Sequence, residues 1–303
     1  MIAVIKNVFT KATRLTYKNI HFLLLFWVTN FALAFALSMP LYSLLRNDLR
    51  NSILNSHLGG DFDFLWFSQF LKLNDKTVSS YPGLILIVVL IYNIIQVFFS
   101  GGLISVLSNS SKNHSVDFFY GGVKYFFRYL KIFLVAIALY FLAIMINLAL
   151  EKMIFLIVDV YSYAALTILF DIIKNAFLLF LISTINIVSD YTKIAVCQSD
   201  LGKVYPAFKK ALLFLKTNFK NSLVIFLICA VFVALGALTY NLIDNVIPKT
   251  TAALIIVTFF IQQLLVIFRF LIKILFYATE VVFYSESDAQ VIDLQSVEIN
   301  PES

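Results

Sequence analysis

The sequence predicts an all-α membrane protein with six transmembrane helices and both termini in the cytoplasm. Of its 303 residues, 61% are hydrophobic and 13% are charged, whereas soluble domains have about 45–50% apolar and about 25% charged residues. The mean hydropathy is +0.92. A soluble domain of this size could not bury so much apolar surface, and the composition also excludes disordered, collagen-like and coiled-coil chains. The apolar runs are continuous, which favours helices over membrane β-strands of alternating polarity.

Six apolar runs have the roughly 20 residues that a helix needs to span a bilayer. They cover residues 21–45, 82–107, 132–150, 161–188, 222–242 and 250–277. Residues 151–163 are mostly apolar and predict either a continued helix or a re-entrant turn. We expect one six-span domain over residues 1–284, without a cleavable signal peptide.

The distribution of lysine and arginine predicts the orientation. With the N-terminus inside, sixteen of the 23 basic residues lie on the cytoplasmic side and six lie outside. This bias agrees with the positive-inside rule. It also accounts for the net charge of +6, so no nucleic-acid partner is predicted.

Basic amphipathic segments at residues 4–20, 116–131 and 205–220 each lead into an outward span. Their basic faces are formed by Lys11, Arg14, Lys18, Lys124, Arg128, Lys131, Lys209, Lys216 and Lys220. Such faces suit an anionic leaflet, at about 1 kcal/mol per basic residue. The segments are interpreted either as ordinary anchors or as sites that recognise acidic lipids.

Similar residues recur at regular offsets along the chain, and this recurrence predicts three helical-hairpin repeats, at residues 4–110, 114–200 and 203–288. Residues 192–196 align with residues 279–283 at an offset of 87. The alternative is six similar helices without shared ancestry.

Two segments do not fit the pattern of an outward span, a turn and a returning span. Residues 47–81 predict a long outer loop, in which Asp61 caps a short interfacial helix; a lid over a cavity is the other interpretation. Residues 285–303 contain five acidic residues and no basic one. This tail is predicted to be disordered, and a partner-binding tail is the alternative.

Polar residues within the spans are the main candidates for function. Asp171 and Lys174 are three residues apart on one helix, so they can pair. Gln96, Lys174 and Gln262 are predicted at one depth, about 20 Å along their helices. The complete predicted polar layer is Asn93, Gln96, Asp171, Lys174, Asn175, Gln262 and Gln263. It either fixes helix register through hydrogen bonds or lines a hydrated midplane cavity.

No catalytic or metal-binding motif is recognisable in the sequence, and no cofactor is predicted. Cys197 and Cys229 form neither a disulfide framework nor a zinc pattern. Gly101, Gly102 and Ser105 are interpreted as a small-residue surface that allows close helix packing.

Residues 118–124 (FFYGGVK), 189–196 (SDYTKIAV) and 207–218 (AFKKALLFLKTN) carry a family resemblance. They resemble uncharacterised six-helix bacterial membrane proteins that are similar to the membrane domain of some glycerophosphodiester phosphodiesterases. The resemblance implies a location in the bacterial inner membrane. It implies no catalytic residue, because the soluble phosphodiesterase domain has no counterpart in this sequence.

The leading functional prediction is a non-enzymatic membrane protein that transports or accommodates a small solute or lipid. Gln96, Asp171, Lys174 and Gln262 would carry this role, and the expected partners are bilayer lipids, including anionic ones. The second hypothesis is a structural or assembly subunit that binds other membrane subunits. The third is a membrane-embedded lipid-modifying enzyme.

Overall fold

The computed structural model describes residues 2–49, 64–109, 114–157, 164–200, 202–248 and 251–299. Within these ranges the chain forms eight α-helices and no strand. The helices are α1 (Ile2–Lys18), α2 (Phe22–Leu49), α3 (Phe64–Leu73), α4 (Asp75–Ser108), α5 (His114–Ile157), α6 (Ala164–Gln198), α7 (Val204–Val246) and α8 (Ala252–Ile299). The all-α prediction is therefore confirmed for the described chain.

Within the described ranges, six helices, α2 and α4 to α8, are long and apolar enough to cross a membrane. Their number and positions agree with the six predicted apolar runs. α5 and α7 have 44 and 43 residues, because the basic segments at 116–131 and 205–220 continue without a break into the apolar part. α1 is instead separated from α2 by a turn at residues 19–21.

Helical structure extends into the segments predicted as connections. The short helix expected between the first two spans is α3, while its proposed cap, Asp61, lies outside the described residues. The loop prediction was wrong for residues 75–81, which form the start of α4; Asp75 lies in its first turn, where an acidic side chain complements the helix dipole. Residues 151–157 continue α5. α8 extends through Ile299, and the disorder of the acidic tail stays a prediction.

The chain divides into two compact units. Unit 1 comprises Met1–Tyr17, Val97–Cys229 and Leu275–Ser303, and unit 2 comprises Lys18–Gln96 and Ala230–Ile274. Unit 1 therefore contains α1 except for its last residue, the whole of α5 and α6, and the adjoining parts of α4, α7 and α8. Unit 2 contains α2, α3 and the remaining parts of α4, α7 and α8.

Aromatic rings hold three helices together in unit 1. The ring centroid of Phe214 on α7 lies 5.0 Å from that of Tyr191 on α6 and 4.8 Å from that of Tyr284 on α8. Both tyrosines are fully buried. Aromatic pairs contribute about 0.5–1.5 kcal/mol beyond the area they bury, so this contact stabilises the meeting point of α6, α7 and α8.

Small residues allow α4 and α5 to approach closely in unit 1. A Cβ atom at Gly102 would lie 2.4 Å from the carbonyl oxygen of Phe118, and one at Gly121 would lie 2.3 Å from Cβ of Ser105. A Cβ at Gly101 would lie 3.2 Å from the carbonyl oxygen of Gly121. The structure thus places Gly101, Gly102 and Ser105 together at the contact between these two helices.

Candidate functional site

In unit 1 the predicted ion pair of the polar layer gains a third member. Lys174 Nζ lies 3.2 Å from Asp171 Oδ1 and 3.0 Å from Glu151 Oε2. Glu151 comes from α5, so Lys174 joins the two helices of the α5–α6 hairpin. Asn175 is exposed on the surface of α6. Glu151 was not among the predicted residues, because it lay at the end of the third apolar run.

In unit 2 two amides of the predicted layer bond across helices. Gln96 on α4 accepts a hydrogen bond from Lys273 on α8. Gln263 on α8 accepts one from the Trp27 indole on α2, at 3.0 Å. Asn93 donates to the Val89 carbonyl of its own helix, and Gln262 is exposed.

The predicted polar residues thus belong to different units: Asp171, Lys174 and Asn175 to unit 1, and the remainder to unit 2. Within each unit, the described contacts join neighbouring helices. Bonds of this kind favour the interpretation that these groups fix helix register.

Unit 1 also contains a buried group of charges that we call the ionic cluster: Asp190, Lys193 and Glu280. Lys193 Nζ lies 2.7 Å from Asp190 Oδ1, and their side chains are 15% and 11% exposed. Glu280 on α8 is 1% exposed and interacts electrostatically with both. Three ionisable side chains are therefore largely removed from solvent, two of them in the last turns of α6 and the third within α8.

Helical spacing and tyrosines position the ionic cluster. Asp190 and Lys193 are three residues apart on α6, so they share one face. The buried Tyr129 hydroxyl on α5 donates a hydrogen bond to the Lys193 carbonyl, at 2.8 Å. Tyr277 on α8 is also buried and interacts electrostatically with all three members. In such surroundings an unpaired charge is costly, so the cluster is a place where charge must be balanced.

Sequence reasoning missed the ionic cluster. Lys193 was predicted to lie in the basic cytoplasmic connection after the fourth span, and the structure shows that this part of the chain is helical: α6 continues to Gln198, ten residues beyond residue 188, where the span was predicted to end. A signal was present in the alignment at an offset of 87, which places Lys193 opposite Glu280. This alignment pairs two opposite charges, but it does not indicate that the two side chains are buried together.

The predicted lipid-facing basic residues are mostly exposed, and three of them are paired. Lys11 pairs with Glu286, while Lys124 and Arg128 lie 3.0 Å and 3.6 Å from the Asp200 carboxylate. Six others have no carboxylate within 4 Å among the residues that the structure describes: Arg14, Lys18, Lys131, Lys209, Lys216 and Lys220. Their charges are available to anions.

Asp200 closes the end of α6 in an unusual conformation. Its φ of 42° lies in the left-handed region, which Asp and Asn tolerate better than most residues. A hydrogen bond from Lys124, with the charges of Lys124 and Arg128, lowers the pKa of Asp200 below its usual value. Stability from this contact is therefore present at neutral pH and is lost as the pH falls through that lowered pKa.

We expect acidification below about pH 4 to speed amide hydrogen exchange in the last turn of α6. The Asp200→Asn variant keeps the left-handed conformation but lacks the titrating charge, so exchange there should be faster at neutral pH and respond less to acid. Equal acid responses in the wild type and this variant would exclude a role for the Asp200 carboxylate.

An open apolar groove of about 330 Å³ lies between α5, α6 and the start of α7 in unit 1. We call it the α5–α7 groove. It is lined by Lys131, Ile132, Val135, Ala136, Leu139, Ile185, Val188, Ser189, Thr192, Val204, Tyr205 and Phe208. From Lys131 to Leu139 it follows α5 for about 12 Å, at 1.5 Å per residue. Lys131 and Tyr205 are exposed and supply polar groups to the lining.

Comparison with known protein families, with curated proteins and with solved structures finds no match to this chain.

Proposed function

We propose that this protein is a non-enzymatic bacterial inner-membrane protein that binds and handles an anionic lipid. The α5–α7 groove is the observation that carries the proposal. Its apolar walls on α5 and α6 suit an acyl chain, and Lys131 offers a positive charge to the headgroup. No carboxylate among the described residues lies within 4 Å of Lys131, so none of these residues neutralises this charge.

Charge distinguishes this groove from a second one. An open groove of about 410 Å³ lies between α7 and α8 in unit 2, and no lysine or arginine is among its lining residues. Both grooves suit apolar chains, but an anionic headgroup gains about 1 kcal/mol from a nearby basic residue. The α5–α7 groove is therefore the better candidate for an anionic lipid.

The proposal includes a cytoplasmic location for both termini and three hairpin repeats. The excess of lysine and arginine on one side of the predicted topology supports the orientation. A hydrogen bond from Gln198 to Ser285, at 2.8 Å, supports the repeats because it joins residues at the same offset of 87. The resemblance to phosphodiesterase membrane domains fits this location and stays a prediction.

The other predicted functions are less well supported by the contacts. Transport through a midplane layer needs unpaired polar groups around a cavity, whereas Gln96, Lys174 and Gln263 have partners on neighbouring helices. A lipid-modifying enzyme needs catalytic groups that the lipid can reach. Asp190 and Glu280 cluster, but neither lines either groove described above. A role as an assembly subunit stays a prediction.

The lipid proposal is tested with a photoactivatable phosphatidylglycerol in vesicles that contain the purified protein. We expect labelled peptides to map to residues 131–139 and 185–192. Val135→Trp should fill the groove and lower this labelling several-fold. Leu134→Trp is the matched control, because Leu134 is next to Val135 on α5 and is equally exposed, at 57% against 55%, but does not line the groove.

The headgroup contact is tested by comparing Lys131→Gln with Lys209→Gln. Both changes remove one exposed, unpaired charge, but only Lys131 lines the groove. We expect Lys131→Gln to weaken the preference for phosphatidylglycerol over phosphatidylcholine by about fivefold, which corresponds to about 1 kcal/mol. If both tryptophan variants are labelled like the wild type, the groove does not bind lipid.

A further inference from the structure

We propose that the ionic cluster is a binding site for one proton, which the Glu280 carboxyl carries in the native protein. The proton comes from water and returns to it, and the proposal does not depend on lipid binding. Glu280 is 1% exposed, and its Oε2 atom has no hydrogen-bond partner among the described residues. At that oxygen a carboxylate would be removed from bulk solvent and would have no donor among the described residues.

The charges of the ionic cluster also oppose a second anion. The only cation of the cluster, Lys193, attracts an ionised Glu280, but it lies 2.7 Å from Asp190, whose negative charge offsets that attraction. No lysine, arginine or histidine nitrogen of the described chain lies within 4 Å of the Glu280 carboxylate. Burying an ion costs several kcal/mol even after relaxation. An acid that has no counter-ion avoids this cost by taking up a proton.

Among the residues that the structure describes, the surrounding elements supply no further cation. The ionisable groups that interact with Glu280 or with its partners in the ionic cluster are Tyr129 and Tyr140 on α5, Tyr191 on α6, Cys229 on α7 and Tyr277 on α8. All of these are neutral in their usual protonation state. With Glu280 protonated the cluster has no net charge, and with Glu280 ionised it carries one buried negative charge. Proton binding at this carboxyl therefore sets the charge of the cluster.

Infrared spectroscopy of the protein in lipid nanodiscs tests the proposal. A protonated carboxylic acid has a carbonyl stretching band that a carboxylate lacks. We expect this band at neutral pH and its loss as the pH is raised. Glu280→Gln should remove it and should leave the protein folded, because the amide has the shape of the neutral acid.

Glu151→Gln is the matched control. Glu151 is also a glutamate on a long apolar helix of unit 1, but its side chain is 39% exposed and lies 3.0 Å from Lys174 Nζ. The lysine stabilises the ionised carboxylate, so Glu151→Gln should leave the carbonyl band intact. Isotope labelling of glutamate carboxyls in the wild type assigns the band even if a variant does not fold. The absence of a glutamic-acid band at neutral pH, or its persistence in Glu280→Gln, would overturn the proposal.

Discussion

Replacing Lys193 by methionine is expected to lower the free energy of unfolding by about 3–5 kcal/mol. The change leaves the Asp190 carboxylate buried without the ammonium group that lies 2.7 Å away. An unpaired buried charge is among the most destabilising defects that a single substitution produces. Denaturant unfolding of the purified protein in micelles, followed by circular dichroism, measures the effect.

The double variant Asp190→Leu, Lys193→Met tests the cause of this destabilisation. It distinguishes the cost of leaving one buried charge unpaired from the cost of removing the whole ion pair. Removing both charges is often neutral or stabilising, because neither side chain then has to be desolvated. We expect the double variant to be more stable than Lys193→Met. Lys209→Met controls for the loss of a surface lysine and should change stability by less than about 0.5 kcal/mol. A double variant as unstable as Lys193→Met would show that shape, not charge balance, governs the site.

Adding a methyl group at Gly102 is expected to destabilise the contact between α4 and α5 by about 1–3 kcal/mol or more. The new Cβ of Gly102→Ala would lie 2.4 Å from the Phe118 carbonyl oxygen. Backbone atoms cannot rotate away, so the two helices must separate. The same unfolding measurement reports the loss of stability.

Gly83→Ala is the control on the same helix. A Cβ at Gly83 meets nothing within 4 Å, so we expect alanine there to be neutral or stabilising, by up to about 1 kcal/mol. Equal destabilisation by the two alanines would mean that helix propensity, not close approach, explains the glycine at 102.

Local sequence determines the helices of this protein. Apolar runs of about 20 residues predict spans because a bilayer offers no partner for backbone polar groups outside a helix. All six runs lie within or largely within the long helices described. Helix ends were harder to place: α6 continues ten residues past residue 188, because aromatic and charged side chains pack there in the interior of unit 1.

The candidate sites depend on residues far apart in the chain. Asp171 and Lys174 are three residues apart, so their pairing follows from helical periodicity. Glu151 joins them from another helix, and nothing in its local sequence indicates that contact. The partner of Gln96 is Lys273, which is 177 residues away. Such partners could not be predicted from spacing within a helix.

The sequence by itself determined that the described part of the chain is all-α and that six of its helices are able to cross a membrane, because hydropathy acts over local stretches of the chain. Only the tertiary structure decided which polar groups face one another and which are exposed. Glu280 shows the reason: in the sequence it is a polar residue that follows a long apolar run, and the packing of α8 against α6 buries it beside Asp190 and Lys193. Burial and charge balance are properties of that packing, so a single helix sequence does not contain them.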